Sequence, residues 1–311
     1  MSGLKQSIIK MNLNRKLEDV ANSIENEVVK RIFLNNVIVS GGCIPNMLMG
    51  EKVNDYDLYF KTKEATLEIS KYFVELFKTK NVGKNISVVE EEVENINGVL
   101  EDRIKIFIRS SGACEGYNDD SQENTEESCE GATYLPDNKN PINDAEEMAK
   151  ELKAKGEKYF PIFLTDNAIT LKNKVQLIIR FFGNPEEIHN NFDFRHCICY
   201  YDYHKQQLMV PQAAMQDMLA KELTYNGSLY QITSLLRVRK YIKRGWRISA
   251  GQMLKMMMQV QKVDFKNPHV LREQLMGVDS FYMNNLIVAL ENNSEKVDEN
   301  YLARLIDEVF E

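Results

Sequence analysis

In the stretch SGGCIPNMLMGEKVNDYDLYF, Ser40 to Phe60, two adjacent glycines precede two aspartates separated by one tyrosine. Read as a strand, DYDLYF (55–60) alternates its side chains, so Asp55 and Asp57 share a face. Two carboxylates side by side repel, and the pair is costly unless it is exposed or holds a cation. Magnesium suits such oxygen ligands, with phosphates and water completing its octahedron. Two metals held this way activate an attacking hydroxyl and stabilise a leaving pyrophosphate. A strand that ends in Gly41-Gly42 and opens into a helix lets backbone N–H groups approach a phosphate, and the helix N-terminus adds favourable potential. Together the features describe a nucleoside triphosphate, with phosphates on Ser40, Gly41 and Gly42 and Mg2+ or Mn2+ on the aspartates. Gly-Gly is common in turns and Asp-x-Asp at solvated strand ends. The order strand, Gly-Gly, short helix, Asp-x-Asp strand carries the specificity.

These residues need a frame. Residues 14–34 repeat apolar positions at helical spacing, and 35–40 reads as a short buried strand. Pro45 suits a first helical turn, and Gly50 closes that helix. A clear amphipathic helix covers 62–80, followed by strands over 86–93 and 103–110. Residues 111–155 are rich in acids, Asn, Ser and Gly and poor in apolar side chains, as expected of a mobile insertion or long surface loop. Strands resume within 159–171, 174–183 and 192–202, with a turn or two of helix at 185–191. From about Gln206 the pattern is helical: 209–223, 228–244, 250–263, 268–275, 280–292 and 299–310. The expected fold class is α+β, a mixed sheet flanked by helices. It would be divided into 1–205, carrying the aspartates, and a helical domain, 206–311.

The stretch resembles the nucleotidyltransferase superfamily that includes DNA polymerase beta, poly(A) polymerases and the CCA-adding tRNA nucleotidyltransferases. The CCA-adding pattern is like GGxVRDxLLGxxxxDxD; this chain has GGCIPNMLMGEKVNDYD. The twelve residues between Gly42 and Asp55 match its spacing, and Leu48-Met49-Gly50 falls on the LLG-like run. Ile44-Pro45-Asn46 stands where that pattern has Val-Arg-Asp, which argues against a plain CCA-adding enzyme. The resemblance implies a third carboxylate, a catalytic residue and metal ligand with Asp55 and Asp57. The candidates are Asp193, Asp166, Asp202 and Glu90. Asp193 is preferred because the run VQLIIRFFGNPEEIHNNFDFRHCICYYD is similar to one in nucleotidyltransferase-like proteins of phages and large viruses. A turn or capping aspartate is the plainer alternative.

The segment SLLRVRKYIKRGWRIS (234–249) holds six cations and no acid in a chain of net charge −7. On a helix, Leu235, Val238 and Ile242 form the buried stripe. Arg237, Lys240 and Arg244 flank one side of it, and Arg239, Lys243 and Arg247 the other. Contact with a triphosphate or an RNA backbone is one reading, and pairing with acids elsewhere is the other. The resemblance to the Arg-rich helix of CCA-adding enzymes, which ends in Gly-Phe, extends to Arg237 through Gly245-Trp246. Arg109 and Arg180 end strands and are further phosphate candidates beside ordinary strand-end charges.

The hydrophobic fraction of 43% and charged fraction of 27% are those of a globular protein. No stretch reaches the roughly 20 apolar residues that span a bilayer, and residues 1–16 lack the pattern of a signal peptide. The expected location is the cytoplasm, the host's if a phage encodes the chain, for which the Asn-, Lys- and Ile-rich usage of an AT-rich genome is a hint. The five cysteines show no disulfide spacing. Cys197 and Cys199 lie near His189, His196 and His204, but alternation points His196 away from the thiols and no CxxC exists, so zinc is not expected. Two functions remain. One is a metal-dependent nucleotidyltransferase that attaches a nucleoside monophosphate to an acceptor hydroxyl, RNA by preference (tRNA-like or a 3′ end, through 234–249). The other is a noncatalytic nucleotide-, RNA- or protein-binding protein on the same fold.

Overall fold

The structure, a computed structural model, describes residues 3–81, 85–94, 100–109 and 158–264, together with positions 270, 274, 300, 303, 304 and 307. The acidic stretch 111–155, the side chain of Arg109 and the expected helices over 280–292 and most of 268–275 and 299–310 lie outside the described residues.

The apolar repeat over 14–34 builds two helices rather than one: α1 (Gln6–Ala21) and α2 (Glu27–Asn36). The break has a local cause. Asn26 turns its side chain onto the N–H groups of Val28 and Val29, at 2.9 and 3.2 Å, and so caps a new helix. Strand β1 (Val37–Ser40) follows, then α3 (Cys43–Met49), β2 (Tyr56–Phe60) and α4 (Lys63–Lys80). Gly50 closes α3 at φ 70°, a left-handed conformation that glycine takes without strain.

Among the described residues, strands β3 (Asn85–Glu94) and β4 (Leu100–Arg109) pair only with each other. Then come β5 (Pro161–Thr165), β6 (Ala168–Leu171), β7 (Val175–Phe182), the short α5 (Pro185–His189), β8 (Tyr200–Asp202) and β9 (Gln207–Met209). The central sheet has seven strands in the order β5-β6-β7-β2-β1-β8-β9. Its β2–β7 pair is parallel and its other pairs antiparallel, so the expected mixed sheet is present. Because β9 belongs to this sheet, the sheet runs past the boundary expected at 205.

The two faces of the sheet differ. Val37, Val39, Leu58, Phe60, Leu177 and Ile179 are buried in the main core, which also holds Leu13 and Leu17 of α1, Phe33 of α2 and Phe73 and Phe77 of α4. The opposite face carries Ile38 and Tyr59, in a smaller cluster with Ile188, Phe192 and Cys197. Cross-strand partners share a face. The register Ile38↔Tyr59 and Ser40↔Asp57 therefore puts Ser40 and Asp57 on this second face.

The remaining described elements are α6 (Gln212–Ala220), β10 (Glu222–Leu223), α7 (Gln231–Lys243), β11 (Arg247–Ile248) and α8 (Ala250–Val260). The expected all-helical region thus includes a two-residue parallel ladder, β10 with β11. The expected strand over 192–202 is also interrupted. Phe194 makes an isolated bridge to Tyr225, and Arg195–Cys197 forms a 3-10 turn. Among the described residues, no helix is long and apolar enough to cross a membrane.

Candidate functional site

Asp57 is in β2, beside Ser40 of β1 on one side and Gln176 of β7 on the other. Asp55 precedes the strand and is exposed; Asp57 is partly buried. Burial, and then the charge of Asp55, push the Asp57 carboxyl up to about 7, against the opposing pull of Arg237. A carboxylate pair in that condition is relieved by a cation. Gly41 makes room beside it. Its φ is 88°, and a Cβ built there would lie 2.8 Å from Asp57 Oδ2. The glycine of this turn is therefore required twice, by its backbone conformation and by the carboxylate. Gly42 leads into α3 with open space where a Cβ would be.

Ser40 is fully buried. Its hydroxyl donates to the Cys199 carbonyl at 2.9 Å, so the His189 Nε2 atom 2.9 Å away donates to the serine oxygen. Burial pushes the His189 imidazole down to about 4, partly opposed by Glu186. His189 ends α5, which begins with a capping box: Asn184 accepts from Glu187 N, and Glu187 accepts from Asn184 N. Ser40 is thus a fixed support for the glycine turn, and its side chain is occupied.

Asp193 is buried, in the segment after α5. Its Oδ2 accepts from Arg237 Nη1 at 2.8 Å and from Ser234 Oγ at 3.1 Å. Arg237 and Ser234 face it from α7, and Asp193 holds the guanidinium still more firmly in its charged form. The helix is turned differently from the expected stripe. Val238 is buried as expected, but Leu235 and Ile242 are 42% and 50% exposed. Gln231, Ser234 and Val238 face inward instead, because satisfying the buried carboxylate outweighs burying two aliphatic side chains.

The other candidates separate. Lys240 is exposed. Arg244 donates to Asn46 Oδ1 at 2.6 Å and pairs with Glu51, which Lys221 also contacts at 3.3 Å. Burial opposes it, yet these two cations hold the Glu51 carboxyl below the usual range. Asn46, the departure from the Val-Arg-Asp pattern, is therefore the residue that fastens α7 to α3. Asp202 pairs with Lys61 at 2.7 Å, Asp166 lies 3.9 Å from Lys105, Glu90 pairs with Lys63, and Arg180 pairs with Glu101. Among the described residues, no group of three His, Cys, Asp or Glu side chains is arranged to hold a metal ion. The position in register with Asp57 on the neighbouring strand is Gln176, an amide; only strand pairing reveals it.

Fold and site together define an α+β protein in which a glycine turn backs onto Asp57 on one face of a mixed sheet, with Asp55 just before the strand. A family model described as Gabija anti-defense 2 family protein matches residues 11–221, and the chain belongs to that family. Gabija anti-defense 2 of Bacillus phage SPbetaL7 is 24% identical over 138 residues, 44% of this chain and 33% of that protein. The chain thus spans about a third of the length of the curated relative it matches. Among solved structures, the Thermotoga maritima CCA-adding enzyme complexed with tRNA overlaps with a TM-score of 0.37 at 12% identity, over 93% of this chain and 65% of that one. A CCA-adding enzyme with ATP overlaps with a TM-score of 0.39 at 12% identity, over 99% and 62%.

Proposed function

We propose that the chain is a metal-dependent nucleotidyltransferase used against the host defence its family is named for. The observation that carries the reading is the Asp55–Asp57 pair against the Cβ-free Gly41. Two carboxylates fit Mg2+ or Mn2+, which usually takes one or two protein carboxylates and fills its remaining positions with substrate phosphate and water. When bound, the ion would supply charge for the triphosphate and the leaving pyrophosphate. Asp57 on the sheet face and Asp55 just before the strand would hold that ion. Gly41 and Gly42 leave the backbone open to phosphate oxygens. The acceptor hydroxyl oxygen bonds to the α-phosphorus as the bond from that phosphorus to the β-bridging oxygen breaks, and its proton passes to solvent or a carboxylate. The acceptor is an RNA or a component of the defence system. Lys240, Lys243 and Arg247 are the exposed cations of the basic segment that would meet RNA phosphates.

A noncatalytic binding protein on the same fold is the second reading. The neutral Gln176 beside Asp57 favours it, since an amide adds no charge to a metal site.

The two readings part in one experiment. Each α-labelled NTP is incubated with Mg2+ or Mn2+, cellular RNA and lysate of defence-carrying cells, using wild type, Asp55→Asn and Asp57→Asn. Phage plating on the same cells is scored in parallel. Label in RNA or protein, and plating rescue, both lost in both variants, are expected. Rescue that survives both substitutions without any transfer would establish the binding protein.

A further inference from the structure

We infer that Asp193 is a positioning residue that presents Arg237 to the phosphates of a nucleoside triphosphate, and is not a metal ligand. The inference rests on the proposed nucleotidyltransferase reading. The two side chains are unequal: that of Asp193 is 6% exposed and that of Arg237 43%. A buried carboxylate holds one guanidinium nitrogen of a side chain that is otherwise partly exposed.

Asp193 Oδ2 is also the acceptor for Ser234 Oγ, one helical turn before Arg237, so α7 is gripped at two points. Among the described residues, the Arg237 guanidinium makes no other hydrogen bond. Tyr241, one turn further along α7, packs against the cluster of Ile38, Tyr59 and Phe192 and lies 3.4 Å from Cys197 Sγ, so α7 lies over the sheet face that carries Asp57. An arginine that is charged, half-open, fixed at one nitrogen and near a carboxylate pair is suited to a phosphate, which it meets as a planar fork. Pairing with the guanidinium offsets the charge that Asp193 could offer a metal, and both of its side-chain partners sit on one oxygen, Oδ2.

The partners of Asp193 are on α7, and among the described residues it does not join Asp55 and Asp57 in a group arranged to hold a metal ion. A cation on the aspartate pair and an arginine beside it would share the charge of one triphosphate.

The test measures the affinity of each of the four α,β-imido NTP analogues across a Mn2+ titration, for wild type, Asp193→Asn, Ser234→Ala, Arg237→Gln and Asp57→Asn. A metal ligand reveals itself as a shifted Mn2+ half-point, and a positioning residue as weaker nucleotide binding even at saturating Mn2+. Arg237→Gln is expected to weaken binding about 10- to 100-fold, as loss of a charge-assisted contact does. Asp193→Asn should follow it in the same direction. Both should leave the Mn2+ half-point within about twofold of wild type, the scatter of such values, while Asp57→Asn shifts it. The double variant Asp193→Asn/Arg237→Gln, which leaves no unpaired buried charge, should bind no more weakly than Arg237→Gln alone, and it serves where Asp193→Asn does not fold. A shifted Mn2+ half-point in Asp193→Asn, or unchanged nucleotide affinity in Arg237→Gln, overturns the inference and leaves the nucleotidyltransferase reading standing. A wild type that binds none of the analogues overturns both.

Discussion

Single residues show how tightly the candidate site is fitted. Gly41 takes a φ of 88° within reach of Asp57. Gly41→Ala is expected to cost about 1–3 kcal/mol in urea unfolding, from the strained conformation and the contact together, and to lower nucleotide affinity. A stable variant with unchanged affinity would separate the turn from the ligand. His196 is buried, 4.3 Å between ring centroids from Trp246, and burial pushes it down to about 4. Its unfolded value is about 6.5, so below that the unfolded chain takes up the proton first. The stability His196 contributes is complete above about 6.5 and is lost as pH falls toward 4, by up to about 1.4 kcal/mol per pH unit. Asp57 runs the other way, since its raised carboxyl makes acid relatively favourable between about 4 and 7. The difference between wild type and His196→Gln in unfolding free energy at pH 7, 6 and 5 isolates the histidine. It should narrow as pH falls, and a constant difference would rule the effect out.

At the scale of elements, the short α5 matters through what it carries. Its Asn184–Glu187 box holds the helix that ends in His189, and His189 supports Ser40 beside the glycine turn. Asn184→Ala is expected to lower stability by about 1 kcal/mol and to loosen the turn, read as a several-fold loss of nucleotide affinity that Asn184→Ser restores. Much of this was legible in order along the chain. The strand, glycine turn, short helix and aspartate strand fall where spacing puts them, and β3, β4 and α4 match their expected ranges within a few residues. What spacing missed has local causes. Asn26 starts a second helix inside an uninterrupted apolar repeat, because a capping side chain competes with continued periodicity. Residues 192–202 alternate like one strand but turn at Arg195–Cys197. There Arg195 reaches Asp217 with two bonds, at 2.9 and 2.6 Å, a pairing with no trace in the alternation.

For the whole molecule, α7 is the element whose neighbours define its role. The basic run that covers α7 and continues to Arg247 of β11 divides between internal anchors and open surface. Arg237 and Arg244 reach Asp193 and Glu51. Lys240, Lys243 and Arg247 face solvent. Reversing these three to Glu should leave the melting temperature within a few degrees, as surface changes usually do. If the segment meets RNA, it should also cut RNA affinity and flatten its salt dependence by about 2–3 in log–log slope. Filter binding from 50 to 300 mM salt reads this, and an unchanged slope would remove the segment from any RNA interface.

The sequence by itself determined the α+β class, the glycine turn and the strand that carries Asp57, because each depends on short-range rules: period two in strands, period three to four in helices, and glycine where φ is positive. Only the tertiary structure decided which charges are spent. Whether Arg237 faces Asp193, whether Asn46 holds Arg244, and which side chain lies beside Asp57 on β7 depend on residues 44, 198 and 119 positions apart meeting in space. Charge and hydrogen bonding act through distance in space, and a one-dimensional pattern carries no record of that distance.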